Sequence, residues 1–410
     1  MWQQLASTAR VWRRPMVSRD RDEAGRASTP LELLFDLCFV VAVSSAANEL
    51  SRFIADGRIA DGLSGYFTIF FAIWWAWMNF TWFASAYDTD DIRYRLLTFV
   101  QIAGVLVIAA GVPAAMERAD FKAVTLGYVL LRLSMVVQWL SVAADDPAHR
   151  FVARRYALGV TVVQVGWLMR LLLVQSGLGL VSFVALAIAE MVVPILAERG
   201  SMTTWHREHI AERYGLFTLI VLGEAVLGSV NAVQGAIADS GVSGQVLLLA
   251  LGGLVLFFSC WWTYFDRPFA GFLEPDLGTV FGWGYAHYFL FASLAGLGAG
   301  LEVALSYFEA HEHLSARTAG FAVTIPVAVF LVVLGTICAA LLHRPALALL
   351  AGARATVILA VTWWVSPIDL GVAVVLAGLG VAAGAIGSVA IANGVGGAGV
   401  VGSDATIATP

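Results

Sequence analysis

Lysine is almost absent. Of 24 basic residues only Lys122 is a lysine. A phosphate-binding P-loop needs Gly-Lys-Ser/Thr, and Phe121 precedes Lys122, so the chain holds no Walker-type ATPase site. Cysteine is scarce too: Cys38, Cys260 and Cys338 each sit alone in an apolar run. No CxxC or paired spacing occurs, which argues against a disulfide framework or a zinc site and leaves three small buried hydrophobes. Charge is the third shortage. Charged residues are 13% of the 410, and 60% are hydrophobic; soluble domains carry about 25% charge. Mean hydropathy is +0.81. No stretch of soluble-domain size and composition remains, which excludes both a soluble protein and a soluble domain on a single anchor. A net charge of −5 gives no reason to expect a nucleic-acid partner. Hydrolase, dinucleotide and zinc-protease signatures are missing. The nearest glycine cluster, Gly296-Leu297-Gly298-Ala299-Gly300, lies in an apolar run without the strand a dinucleotide site needs. No cofactor and no metal are implied.

What the chain does have is long apolar runs. A hydrocarbon core of roughly 30 Å needs about 20 apolar residues as helix. Twelve runs qualify, at 31–50, 63–84, 96–116, 121–144, 155–175, 177–198, 214–236, 243–265, 279–301, 317–342, 346–365 and 368–392. Only Ser176-Gly177 divides the fifth from the sixth, and Arg354 interrupts the eleventh, so the count ranges from ten to twelve. The fold class is all-α: a polytopic transmembrane bundle of about 12 spans. Residues 1–29 carry Arg10, Arg13, Arg14, Arg19, Arg21 and Arg26 but no apolar core. They read as a cytosolic Arg-rich arm rather than a cleaved signal peptide. With that arm inside, the inner segments hold sixteen basic residues and the outer ones five. The bias places both termini in the cytosol and the chain in the bacterial cytoplasmic membrane. Residues 393–410, rich in glycine, have nothing bulky to bury and read as a disordered tail.

The halves repeat. Phe70-Phe71-Ala72-Ile73-Trp74-Trp75-Ala76-Trp77 aligns with Phe257-Phe258-Ser259-Cys260-Trp261-Trp262-Thr263-Tyr264, and Leu34-Phe35-Asp36-Leu37 aligns weakly with Leu216-Phe217-Thr218-Leu219. This gives a first six-helix repeat at 30–198 and a second at 199–392. Six is even, so the halves share one orientation, as in carriers built from parallel repeats.

Thr29-Pro30-Leu31-Glu32-Leu33-Leu34-Phe35-Asp36-Leu37 resembles the opening motif of the low temperature requirement protein A (LtrA) family. His209-Ile210-Ala211-Glu212-Arg213-Tyr214-Gly215-Leu216-Phe217, followed by Leu222-Gly223-Glu224, resembles its central motif. Trp261-Trp262-Thr263-Tyr264-Phe265-Asp266 and Tyr285-Ala286-His287 resemble its later ones. The resemblance covers roughly 28–390. It implies a multi-pass bacterial membrane protein and names no substrate or reaction.

Ionisable groups at a helix centre cost roughly 2.5 to 3.5 kcal/mol on insertion, so they persist when paired or working. Glu224 is the sharpest, about 12 Å deep if its helix enters near Leu216. Asp36 shares a face with Glu32 at i,i+4. Thr29 and Pro30 suit an N-cap and first-turn position, which accounts for Glu32 but not for Asp36. His287 lies beside Tyr285 and Tyr288. Glu190 precedes Pro194, which can kink its helix. Asp36, Glu224, His287 and Glu190 are therefore the candidates for a proton or substrate site. Glu32, Arg132, Arg170 and Arg354 are the candidate ion-pair partners, and permanent pairing is the structural alternative for every carboxylate. His209, Glu212 and Arg213, one turn beyond His206, form a cluster at the cytosolic entrance; His-x-x-Glu alone is a weak metal signal. His311 and His313 with Glu309 and Glu312 read as solvated outer-loop charges. Trp74, Trp75, Trp261, Trp262 and Tyr264 form either an interfacial belt or an aromatic pocket. Gly380 and Gly384 stand at GxxxG spacing, which suits close packing within the chain or in a homodimer.

The reading this supports is a carrier-like secondary transporter or proton-coupled permease, with enzymatic activity left open, whose partners are the bilayer and an unidentified small molecule or ion. The alternatives are a membrane-embedded enzyme or lipid-handling protein, and a non-transporting sensor or assembly component.

Overall fold

The computed structural model describes residues 12–173, 178–240, 243–266, 269–274, 276–308 and 314–400. Side chains are described to Gly387. The outer-loop histidines His311 and His313 lie outside the described residues, as does much of the glycine-rich tail. Among the described residues there is no strand. Twelve α-helices follow in order: α1 Pro30–Ala55, α2 Ile59–Tyr87, α3 Ile92–Arg118, α4 Lys122–Asp145, α5 Arg150–Arg170, α6 Gly179–Ala197, α7 Arg207–Ser240, α8 Gly244–Phe265, α9 Leu277–Phe308, α10 Ala316–Leu341, α11 Ala346–Val365 and α12 Leu370–Val400. Eleven of them are long and apolar enough to cross a membrane. The exception is α5, where Arg150, Arg154, Arg155 and Arg170 dilute the apolar residues.

Local chemistry sets the ends. Thr29 and Glu32 form a capping box at the start of α1, with Pro30 in the first turn. Asp91 caps α3 through the Tyr94 amide, and Ser243 and Ser315 do the same for α8 and α10.

Two compact units result. The first contains α1–α6, α7 as far as Ala225, and α9 from its start to Ala299; the second contains the rest of α7 and α9 with α8 and α10–α12. In the first unit α1 packs on α2 and α3, α3 on α4, α4 on α5, and α5 on α6. In the second, α8 packs on α12, and α10 and α11 pack on one another. The core of the first unit is aromatic: Trp74, Trp75 and Trp77 of α2 are each no more than 1% exposed.

Hydrocarbon gives no hydrophobic drive between helices, so close packing relies on small residues. At the α3–α4 crossing a Cβ on Gly104 would sit 2.8 Å from the Gly127 carbonyl oxygen. Gly384 of α12 makes room for the guanidinium of Arg354, which donates to the Val381 carbonyl at 2.9 Å. The GxxxG glycine thus serves an Arg-to-backbone contact within the chain. Substituting Gly127→Ala forces a methyl onto the Gly104 backbone, an overpacking that costs about 1–3 kcal/mol. The melting temperature in detergent, followed by tryptophan fluorescence, is expected to fall by several degrees. Gly352→Ala, whose added methyl meets nothing within 4 Å, is expected to leave it unchanged. Equal melting of the two variants would contradict the crossing.

Candidate functional site

Three helices of the first unit bring polar ladders together. Glu32 and Asp36 are i,i+4 on α1, and His209 and Arg213 are i,i+4 on α7. Trp77, Thr81 and Ser85 share one face of α2. The rungs match. The Ser85 hydroxyl accepts from the His206 amide (2.9 Å), Thr81 accepts from Arg213 (3.3 Å), and the Trp77 indole donates to Asp36 (2.7 Å). Arg213 grips Asp36 in bidentate fashion, with Nε 3.0 Å from Oδ2 and Nη2 2.6 Å from Oδ1. Its Nη1 lies 3.2 Å from Glu32 Oε1. His209 Nε2 is also 3.2 Å from that oxygen. All four side chains are 0% exposed.

The arm completes the network. Arg26 reaches Glu32 at 3.4 Å and Asp88 at 3.7 Å. The rest of residues 12–29 is pinned along the same end. Arg13 pairs with Asp145, the Arg14 amide donates to Asp91, the Ser18 amide to Asp146, and the Ser28 amide to Glu212. Burial pushes the Asp88 carboxyl up to about 6; the nearby Glu32 charge adds to this and Arg26 opposes it.

His209 faces Glu32 through Nε2, and its Nδ1 has no hydrogen-bond partner among the described residues. The ring orientation therefore places the proton on Nε2, opposite a carboxylate.

The other candidates occupy different settings. Glu190 is closed in by four donors: Trp75 (3.0 Å), Tyr128 (2.9 Å), Arg132 (2.6 Å) and Trp167 (3.2 Å). A carboxylate offers about four lone-pair sites, so this one is full. His287 is fully buried, with Nδ1 donating to the Trp283 carbonyl at 2.8 Å and its ring against Trp283 and Tyr214. Tyr214 also packs on Trp77, so an aromatic bridge runs from His287 to the Asp36 side of the network. Glu224 is half-buried, and no hydrogen bond or ion pair joins it to another described residue. It lies eleven residues past Arg213, about 16 Å along the helix. Arg170 stacks on Phe121 and donates to the Gly179 carbonyl, and Arg354 donates to Val381; neither meets a carboxylate among the described residues. Glu212 is exposed and holds the arm rather than His209. The two Trp pairs differ: Trp74 and Trp75 are core, whereas Trp261 and Trp262 are 47% and 43% exposed on α8. Tyr264 is buried. No group of three or more His, Cys, Asp or Glu able to hold a metal occurs among the described residues.

Both arms of the network sit on the segments Thr29–Leu37 and His209–Phe217, the motifs that carry the family resemblance. The family described as "Bacterial low temperature requirement A protein (LtrA)" matches residues 27–383. The chain belongs to the LtrA family. It is also 28% identical over 260 residues to "Uncharacterized protein RA0937" of Rhizobium meliloti (strain 1021). That match spans 60% of this chain and 60% of its relative's length. No solved structure matches. For this LtrA-family chain the sequence did not single out Arg26, Asp88 or Trp77 as members of the site. The equal i,i+4 spacing of Glu32/Asp36 and His209/Arg213 was the signal available for pairing the two motifs.

Proposed function

We propose that this LtrA-family protein is a proton-coupled secondary carrier of the bacterial cytoplasmic membrane, with its arm in the cytosol and the α1–α2–α7 network as its coupling site. The observation that carries the reading is a fully buried set of two carboxylates, one guanidinium and one imidazole on two membrane helices. Such a set is expensive to bury and is retained where charge must be moved or gated. The aligned segments 70–77 and 257–264, read as marks of a parallel six-plus-six repeat, favour the same architecture.

The residues suit a gate. With Asp36 ionised, the bidentate Arg213 bond ties α7 to α1. A proton delivered to Asp36 removes its charge, so the charge-assisted pair becomes a weaker neutral contact and the helices can separate. Asp88 exchanges protons near pH 6 beside Arg26, at the mouth of the network. His209 Nδ1 offers the next acceptor, and Glu32 stabilises the imidazolium that forms.

The test uses proteoliposomes with an internal pH dye and an imposed pH gradient. Amines, amino acids and small carboxylates are added in turn. At least one solute is expected to speed dissipation of the gradient severalfold with the wild-type protein and not with Asp36→Asn. The rate is expected to change around pH 6, and Asp88→Asn should remove that inflection. A solute flux that leaves the proton gradient untouched, or one that Asp36→Asn carries at the wild-type rate, would overturn the coupling role.

A further inference from the structure

At the end of the first unit where α6 stops, a carboxylate is buried with no ion pair to it among the described residues. Glu198 follows the last turn of α6 and is 6% exposed. Its Oε1 accepts from the Tyr156 hydroxyl (2.9 Å) and the Thr203 hydroxyl (3.0 Å), and its Oε2 accepts from the Thr203 amide (2.7 Å). All three donors are neutral, and no ion pair reaches Glu198 among the described residues. The nearby basic groups are committed elsewhere: Arg155 donates to the Arg199 carbonyl at 2.9 Å, Arg21 to the Thr203 carbonyl at 3.4 Å, and His149 pairs with Asp146 at 2.9 Å. Burial pushes the Glu198 carboxyl above its ordinary range. Every other buried carboxylate in a helix of this unit has a cation beside it: Glu32 and Asp36 have Arg213, and Glu190 has Arg132.

Glu198 lines a narrow cleft that opens at the surface of the first unit. The other walls are aromatic: Trp82, Trp139, Tyr156, Trp205, Phe281 and Tyr285. They hold one another in place. Trp139 stacks on Tyr156 at 4.2 Å with the rings 3° apart, and Trp82 meets Trp205 edge-on at 5.1 Å. The lining includes no lysine or arginine. Ring faces attract a cation most strongly where water is displaced, and a carboxylate at the back of the cage supplies the missing charge.

We propose that this cleft binds an alkylammonium group, the positive charge seated among Trp82, Trp139, Tyr156 and Trp205 with Glu198 as its counter-ion. The group can come from a free amine or from a lipid headgroup. The site does not depend on transport: it is a binding site on its own geometry, separate from the Asp36–Arg213 network. The hydrogen bond from Trp82 Nε1 to Tyr214 Oη at 3.0 Å joins the cleft to the residue next to Arg213.

Equilibrium binding tests it without a flux assay. The full chain is placed in nanodiscs of pure phosphatidylglycerol, which has no ammonium headgroup. Choline and its neutral carbon isostere 3,3-dimethylbutan-1-ol are titrated by calorimetry and tryptophan fluorescence. Choline is expected to bind saturably, at least tenfold more tightly than the isostere. Glu198→Gln, which can still accept from Thr203, is expected to weaken choline at least tenfold and to leave the isostere unchanged. Trp205→Phe serves as a second variant; it keeps a ring in the wall and is expected to weaken choline severalfold. Repeating the titration with phosphatidylcholine in the disc separates the sources. A rightward shift identifies the headgroup as an occupant, and no shift identifies a free cation. Equal binding of choline and isostere, full choline binding by Glu198→Gln, or no choline binding together with no preferential retention of phosphatidylcholine would overturn the proposal.

Discussion

Replacing Arg213 with methionine is expected to be the most damaging single substitution in the protein. The change strips the only bidentate partner from Asp36 and one of the cations from Glu32, both fully buried. Leaving a buried charge uncompensated costs about 3–5 kcal/mol. A folded domain holds only about 5–15 kcal/mol in reserve, so Arg213→Met is expected to give little monodisperse protein and a strongly lowered melting temperature. Adding Asp36→Asn should reverse most of the loss. Asparagine carries no charge, and its side-chain carbonyl can still accept from Trp77. Glu32 then keeps Arg26 and His209 as partners. Gel-filtration profile and melting temperature of the single and double variants check this. A single variant within a degree or two of wild type, or a double variant no better than the single, would show that the pair is not the element holding α1 to α7.

Glu190→Ala should come close behind, and it makes an ordering prediction. The substitution orphans four buried donors at once, including the Arg132 guanidinium. Arg132→Met removes one donor and leaves Glu190 with Trp75, Tyr128 and Trp167. A carboxylate with three neutral donors is costly but still solvated by the protein, whereas a stranded guanidinium among unpaired indoles is not. Glu190→Ala is therefore expected to lower the melting temperature about twice as far as Arg132→Met. Equal effects would mean that the ion pair alone matters and that the three neutral donors contribute nothing. The four donors to Glu190 of α6 come from α2, α4 and α5, so the substitution is expected to loosen the contacts among all four helices.

Much of this was written in the chain, in ways that differ by level. Apolar runs located the helices, because in lipid every backbone amide must be satisfied inside its own segment. The capping box at Thr29 and Glu32 was legible as short-range chemistry. The partner of Asp36 was not. Arg213 is 177 positions away, and single-sequence spacing carries no information on contacts at that separation. The structure supplies the register: Asp36 is six residues into α1 and Arg213 six residues into α7, each about 9 Å from the start of its helix. The long arginines in the middle of spans, Arg170 and Arg354, drew attention as partners because hydropathy flags them; their guanidiniums found carbonyls and ring faces instead.

The same parallel register bears on the count of crossings. Glu32 meets His209 and Asp36 meets Arg213, so α1 and α7 run in the same direction. An even number of crossings must separate their starts. The helix α5 falls short on hydropathy, yet Leu158, Val162, Val165 and Met169 form an exposed apolar face on it, and its mid-helix Gln164 is buried. Counted as a crossing, α5 restores the even number. Four arginines near the two ends of α5 lower its mean hydropathy.

The measurement that separates a working network from a structural one is proton-coupled flux in the Asp36→Asn/Arg213→Met double variant, run on protein shown to melt near the wild-type temperature. Neutralising both partners leaves no uncompensated buried charge and removes the charge that the coupling requires. The expected result is a folded protein in which no solute dissipates an imposed pH gradient. Wild-type rates from that folded double variant would contradict the account, and would reduce the buried pair to a bolt between two membrane helices.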